Sequence, residues 1–251
     1  ENHYQMSCSS TGLETDLNDC CLFANGPKLY VSPIGSDVNG DGSYDLPFAS
    51  IDLAIQYAGD LDTVIVEVGE YLENINIINK DAVSIFSRAV FETDPILKKF
   101  YLENTIINGG NYESCLNIEN SGDSHLLISG FTIEKGSNNY GGGIKLLNSS
   151  AKITDVIIRD NSASVNGGGI YIAGLSSIEL ENAIIDSNTS ISSSGFGGGI
   201  YVEGNSILFI IDSDIAWNKG NSGGGIYLNN YRNVEFNNCE IRDNIAINNG
   251  G

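Results

Sequence analysis

Basic side chains are scarce in this chain. Its 251 residues carry 32 Asp and Glu against 12 Lys and Arg, a formal net charge of −20. Binding nucleic acid needs a basic patch that releases counterions, and eight Lys and four Arg spread over the whole length do not make one. An anionic membrane surface is disfavoured for the same reason. No apolar run approaches the ~20 residues of a membrane helix, so no membrane insertion is expected. Proline (4), methionine (1) and tryptophan (1) are also rare, whereas glycine and asparagine occur 30 times each. Helix propensity is therefore poor almost throughout. The hydrophobic fraction of 41% still suffices for a packed core, which excludes a disordered acidic chain.

Five cysteines, with Cys8, Cys20 and Cys21 grouped near the N-terminus, point to an oxidising compartment and leave an odd thiol. Disulfides are expected among those three. Cys239 aligns with the inward positions Val156 and Ala183 and reads as a buried free thiol, several coils from Cys115. The chain starts at Glu1 rather than Met, which fits a processed secretory product. The expected localisation is secreted or at the cell surface.

What the sequence has in abundance is a period. The triplet Gly141-Gly142-Gly143 recurs as Gly167-Gly168-Gly169, Gly197-Gly198-Gly199 and Gly223-Gly224-Gly225, at spacings of 26, 30 and 26, each followed by Ile. Between the triplets runs Ile-x-x-Asn: Ile158 with Asn161, Ile185 with Asn188, Ile215 with Asn218 and Ile241 with Asn244. Ile133 to Gly136 is a degenerate earlier copy. Each unit alternates apolar and polar residues over short stretches and has no room for a helix, which describes one coil of a β-solenoid. Glycine and asparagine suit its corners because they tolerate positive φ. The residues 161, 188, 218 and 244 are expected to form an internal ladder of side-chain amides.

Short strands continue upstream through Leu126-Leu127-Ile128, Cys115 to Ile118, Thr105-Ile106-Ile107, Val83 to Phe86, Ile75-Asn76-Ile77 and Val64-Ile65-Val66. Apolar residues at 51, 54, 55 and 58 instead follow helical spacing, with Ser50 as N-cap. A helix over 50–58 reads as a lid on the first coil. The fold class is thus all-β, a parallel β-helix of about eight coils with a short N-terminal capping helix. A Cys-containing extension over 1–28 precedes one β-helix domain over 29–251, with its regular repeats from 133 onward.

Two stretches carry a family resemblance. The segment Leu29 to Asp37, then Asn39 to Gly42, Pro47 to Ile51, Ala54-Ile55, Asp62-Thr63-Val64 and Gly69-Glu70-Tyr71 resembles the opening shared by many extracellular proteins of the pectin-lyase-like right-handed parallel β-helix superfamily. The repeats over 133–251 are similar to those of polymorphic outer-membrane and autotransporter-type adhesins. The resemblance implies the fold, and a function among adhesins, structural proteins, lyases and hydrolases. The hydrolase-type Gly-His-Gly motif is missing, the histidines being His3 and His125. The leading expectation is a non-catalytic surface, adhesive or fibre-forming protein. The alternative is a secreted polysaccharide lyase or glycoside hydrolase, with Lys145 and Arg159 as candidate bases near Asp155 and Asp160.

Several residues are candidates for binding. Asp37, Asn39, Asp41 and Asp45 occupy positions 1, 3, 5 and 9 of a Ca²⁺-type loop with Gly42 at position 6, although position 12 is Phe48; no cofactor is required, and Ca²⁺ is the candidate. The inward setting of Ile170 and Ile172 places Asn117, Lys145, Tyr171, Tyr201 and Tyr227 in one outward column, and its tyrosines are candidates to stack on a glycan or on one another. Asn148 and Asn188 head N-glycosylation sequons. The last coil lacks a cap, so the partner expected at that end is a further copy in a homo-oligomer or filament, or the continuation of a longer chain.

Overall fold

Alternation of Ile, Leu and Val with polar residues turns one side of every short strand inward, and the 26–30-residue period returns each strand above its predecessor. The computed structural model describes residues 26–122, 126–190, 192 and 195–250. They form an all-β solenoid of about five turns, built from three parallel sheets of 13, 6 and 5 strands. In the first sheet, eight strands stack in line from Lys28–Val31 to Asn233–Asn237, but the solenoid has about five turns, fewer than the eight coils expected from sequence. The third sheet starts only at Ser137–Tyr140, so fewer turns have all three sides.

Like residues stack. Ile158, Ile185, Ile215 and Ile241 partner in succession, as do Ile144, Ile170, Ile200 and Ile226. All but the last of each series are fully buried, and each such side chain contributes about 1.5–3 kcal/mol by leaving water.

The corners explain the glycine triplets. The first glycine, at 141, 167, 197 and 223, has φ between 64° and 67°, where a Cβ would be strained. The third makes room for the asparagine ladder: a Cβ on Gly143 would lie 2.9 Å from Asn161 Nδ2, and one on Gly169, Gly199 or Gly225 would come within 3.0 Å of Asn188, Asn218 or Asn244. Triplet and Ile-x-x-Asn are thus two halves of one corner. Asn188 is fully buried. Its Nδ2 donates to the Ile158 carbonyl (2.8 Å) and to Asn218 Oδ1 (3.0 Å), while its Oδ1 accepts from the backbone N–H (3.1 Å) and Nδ2 (3.0 Å) of Asn161. Asn218 repeats this with Asn244. At the other end Gly136 stands where an Asn would, and the buried Cys115 thiol fills the gap, donating to the Glu134 carbonyl (3.2 Å) and facing Asn161 Oδ1 (3.6 Å). Burial pushes that thiol up to about 12.

A second polar ladder has no counterpart in the sequence reading. Ser121, Ser149, Ser176 and Ser206 are all buried. Ser149 Oγ accepts from the Ser121 N–H (3.1 Å), and Ser176 Oγ accepts from the Ser149 N–H (3.2 Å).

The cap helix spans Ile51–Tyr57 and buries Ile51, Ala54 and Ile55. Ser50 occupies the N-cap position, but its side chain makes no capping bond. Both oxygens of Glu73 do so instead, accepting from the Ile51 and Asp52 N–H groups at 2.9 Å. A second helix, Pro95–Asn104, is unforeseen. Asp94 caps it by accepting from Ile96 N–H (2.8 Å), Pro95 starts it, and none of its residues is buried. Without an apolar face committed to the core it leaves no amphipathic signature. It lies beside the first sheet, anchored by Lys98 Nζ to Asp155 Oδ2 at 3.0 Å.

Two stability predictions follow from the corner. Gly169→Ala sets a Cβ 2.7 Å from the Gly199 carbonyl oxygen and should lower the melting temperature clearly, whereas at Gly59 the nearest atom would be 3.6 Å away, so Gly59→Ala should be neutral or mildly stabilising. Asn188→Leu leaves the Asn161 backbone N–H without its acceptor and removes one bond each from Asn161 Nδ2 and Asn218 Oδ1, and should cost more than about 1 kcal/mol in denaturant unfolding. An unchanged midpoint would contradict the ladder's role.

Candidate functional site

In-register pairing lines up outward residues on the first sheet. Leu127, Lys152, Glu179, Phe209 and Glu235 form one column, and Ser129, Thr154, Glu181, Ile211 and Asn237 the next. A groove of about 480 Å³ runs over these columns, lined by Leu127, Lys152, Asp155, Glu179, Glu181 and Phe209 among others. This volume is in the range of small-ligand sites.

The groove's charges are tied together. Lys152 Nζ lies 2.9 Å from Glu179 Oε1 and 3.1 Å from Glu181 Oε2. Partial burial pulls the Lys152 pKa down, but hydrogen bonds and attraction from the two glutamates outweigh it and hold the ammonium above its ordinary value. A lysine so placed stays protonated and does not act as a general base at neutral pH. Asp155 bonds both Lys98 and Asn182 Nδ2. A 26–30-residue period that sets Lys152 beside Glu179 was the signal available in the sequence for this cluster.

The two candidate bases do not meet. Lys145 lies on the second sheet in Ile144–Leu147, with Nζ 2.5 Å from Glu119 Oε1. Arg159 ends the strand Ser150–Arg159 of the first sheet, where its Nε and Nη2 each lie 2.9 Å from Glu134 Oε2. Burial raises the Glu134 pKa, but Lys135 and Arg159 together prevail and hold it below the usual range. Lys145 and Arg159 thus sit on different sheets, each paired with its own carboxylate.

Asn117, Lys145, Tyr171, Tyr201 and Tyr227 do fall in register. The tyrosines are not an open platform for sugar. Their rings stack on one another at centroid spacings of 5.6 and 5.7 Å, within 5° of parallel. Tyr140 packs on Tyr171 and Phe196 on Tyr227, leaving Tyr171 8% and Tyr201 4% exposed. The faces a sugar ring needs are already occupied. Glu203 receives both the Tyr171 and Tyr201 hydroxyls, the latter at 3.1 Å.

The remaining candidates divide. Asp37 Oδ1 accepts from the Ala49 (2.7 Å) and Ser50 (3.0 Å) N–H groups, and Asp41 Oδ1 accepts from Ser43 N–H at 2.9 Å; the Ser43 hydroxyl first, and then this N–H, hold the exposed Asp41 carboxyl below its usual range. The Asn39 N–H donates to Ser36 Oγ, and Asp45 is exposed. Among the described residues no three His, Cys, Asp or Glu side chains gather as metal ligands. Asp37 and Asp41 thus use their side chains to brace the backbone of this turn. Asn148 is exposed at φ 47°. Asn188, sealed inside the ladder, offers no amide to a glycosyl donor in the folded chain, which overturns that sequon. Cys239 is half-buried rather than buried because it belongs to the last described coil, and its thiol donates to the Ile210 carbonyl at 3.2 Å. Cys8, Cys20 and Cys21 lie outside the described residues. No helix among the described residues is long and apolar enough to cross a membrane.

No protein-family model, curated protein or solved structure matches this chain.

The tyrosine cluster makes a pH prediction. Burial, with Glu203 reinforcing it, raises the Tyr171 phenol above its ordinary value, and burial with the Glu203 charge outweighs the Asn229 hydrogen bond to push Tyr201 up to about 12. Folded values above the unfolded value of ~10 favour the neutral phenols in the folded state, so their stabilising contribution is complete below pH ~10 and is lost as pH rises through the folded values. Phenolate absorbance should therefore show a late-titrating set, and Glu203→Gln should shift it to lower pH.

Proposed function

We propose that this chain is a non-catalytic, secreted or cell-surface β-helix protein that uses a rigid rod to present a glycan-binding groove. The reading joins the resemblance to pectin-lyase-like β-helices and adhesin repeats with one carrying observation. The groove combines apolar Leu127 and Phe209 with a Lys152 that Glu179 and Glu181 keep protonated, a lining able to hold a polyol without supplying a base to cleave it. End-to-end association belongs to the same reading: Phe236, Ile241, Ile245 and Ile247 are 44–64% exposed on the coil that follows Gly225, a surface suited to a further copy or to continuing chain.

The test is a glycan array run in parallel with an absorbance assay for unsaturated uronate products. Glycan binding without product is expected. Product that disappears in Lys145→Ala, Arg159→Ala or Lys152→Ala protein would establish the lyase instead. For association, light scattering across a concentration series should show growing mass that Ile245→Lys suppresses, and a concentration-independent monomer would remove that part of the reading.

A further inference from the structure

Resting on the groove as the glycan site, we propose that it selects an amine-bearing glycan, an oligomer of glucosamine, over its N-acetylated counterpart and over polyuronates, and that Lys152 is the groove's own occupant of the amine position. The argument is one of charge balance. The lining contains three carboxylates, Asp155, Glu179 and Glu181, and one cation, Lys152. Asp155 is matched from the flanking helix by Lys98 at 3.0 Å. Lys152 is shared between two glutamates at 2.9 and 3.1 Å, so one of these carboxylates has no cation of its own.

The surplus lies beside an aromatic ring. Phe209 is the direct register neighbour of Glu179, and Glu235 follows Phe209 in the same column. A ring face next to a carboxylate suits a pyranose carrying an ammonium group, through apolar contact and a charge-assisted hydrogen bond. The −20 charge of the chain draws cations toward the groove and repels polyuronates.

The Lys152 arrangement gives a signature that bulk charge does not. An incoming amine competes with Lys152 Nζ for Glu179 and Glu181, so removing the lysine should strengthen binding, although it removes two ion pairs from the unliganded protein. The side chains of Lys152, Glu179 and Glu181 are 43%, 37% and 42% exposed, so their substitution leaves the core untouched.

The experiment is calorimetric titration of the whole chain with glucosamine oligomers, N-acetylglucosamine oligomers of equal length and oligogalacturonate. Melting curves confirm that each variant is folded. The glucosamine oligomer should bind at least about tenfold more tightly than the acetylated one, the worth of one charge-assisted hydrogen bond, and should weaken as salt rises. Glu179→Gln and Glu181→Gln should each weaken it severalfold, Lys152→Ala should tighten it, and Asp60→Asn, an equal change of net charge on an exposed residue outside the groove, should leave it unchanged. Equal binding of the acetylated oligomer would overturn the amine preference while sparing the glycan reading. Binding of neither form would overturn both. Weakening in Lys152→Ala, or equal losses in Asp60→Asn and the glutamate variants, would overturn the site and leave only nonspecific attraction.

Discussion

The hydrogen bond passed from one coil to the next by the Asn161, Asn188, Asn218 and Asn244 amides is the constraint on which the rest of the rod depends. The oxygens of Asn188, Asn218 and Asn244 each take two N–H groups from the preceding coil, and that of Asn161 takes the Gly136 N–H beside the Cys115 thiol; every amide nitrogen reaches a backbone carbonyl of the preceding coil, and those of Asn161, Asn188 and Asn218 also reach the next amide. Asn161, Asn188 and Asn218 are buried, so these groups have no water to fall back on. Vertical register is thereby fixed at the corner, and the isoleucine stacks on the flat sides inherit it. The third glycine of each triplet is required because that amide needs space, and the first because the chain must turn just there.

Outside the core the same stacking dictates what can assemble on the surface. Residues a period apart become neighbours, so charges meet in ladders: Lys152 with Glu179, Glu119 with Lys145, Glu134 with Arg159. Most of these pairs contribute little to stability, since exposed ion pairs are worth about 0–1 kcal/mol. Their effect is to decide which charges are left over, and in the groove the remainder is negative.

Much of the fold was legible because it repeats. The triplets and the Ile-x-x-Asn halves are separate motifs in the sequence, and their register predicted the amide ladder and the Asn117 to Tyr227 column. What was hidden depends on contacts between non-repeating residues. Tyr140 and Phe196, which cover the tyrosine stack, come from the third side of the rod, each directly before a glycine triplet, but Asn166 and Ser222 hold that position in the other coils, so no aromatic repeat shows in the sequence. Ser121, Ser149, Ser176 and Ser206 hide among many surface serines, and Ser149 even sits inside a sequon. The Pro95–Asn104 helix has start signals but no buried face. The Asp37 loop matched a metal pattern because bracing a tight turn and binding a cation ask for the same oxygen-bearing residues.

The distance from each ladder asparagine to the next positive-φ glycine is not constant: six positions from Asn161 to Gly167, nine from Asn188 to Gly197, five from Asn218 to Gly223. From each such glycine to the following asparagine it is nearly fixed, at 20 or 21 positions from Gly141, Gly167 and Gly197. Two sides of the coil therefore act as a gauge and the third as a sleeve of adjustable length. Foreign segments spliced between Asn188 and Gly197 should leave the stacking undisturbed, because the position of the next coil is set by the amides and not by the length of chain that arrives at them. A lineage carrying this rod can vary the length of one flank between its paired strands while its interior stays unchanged.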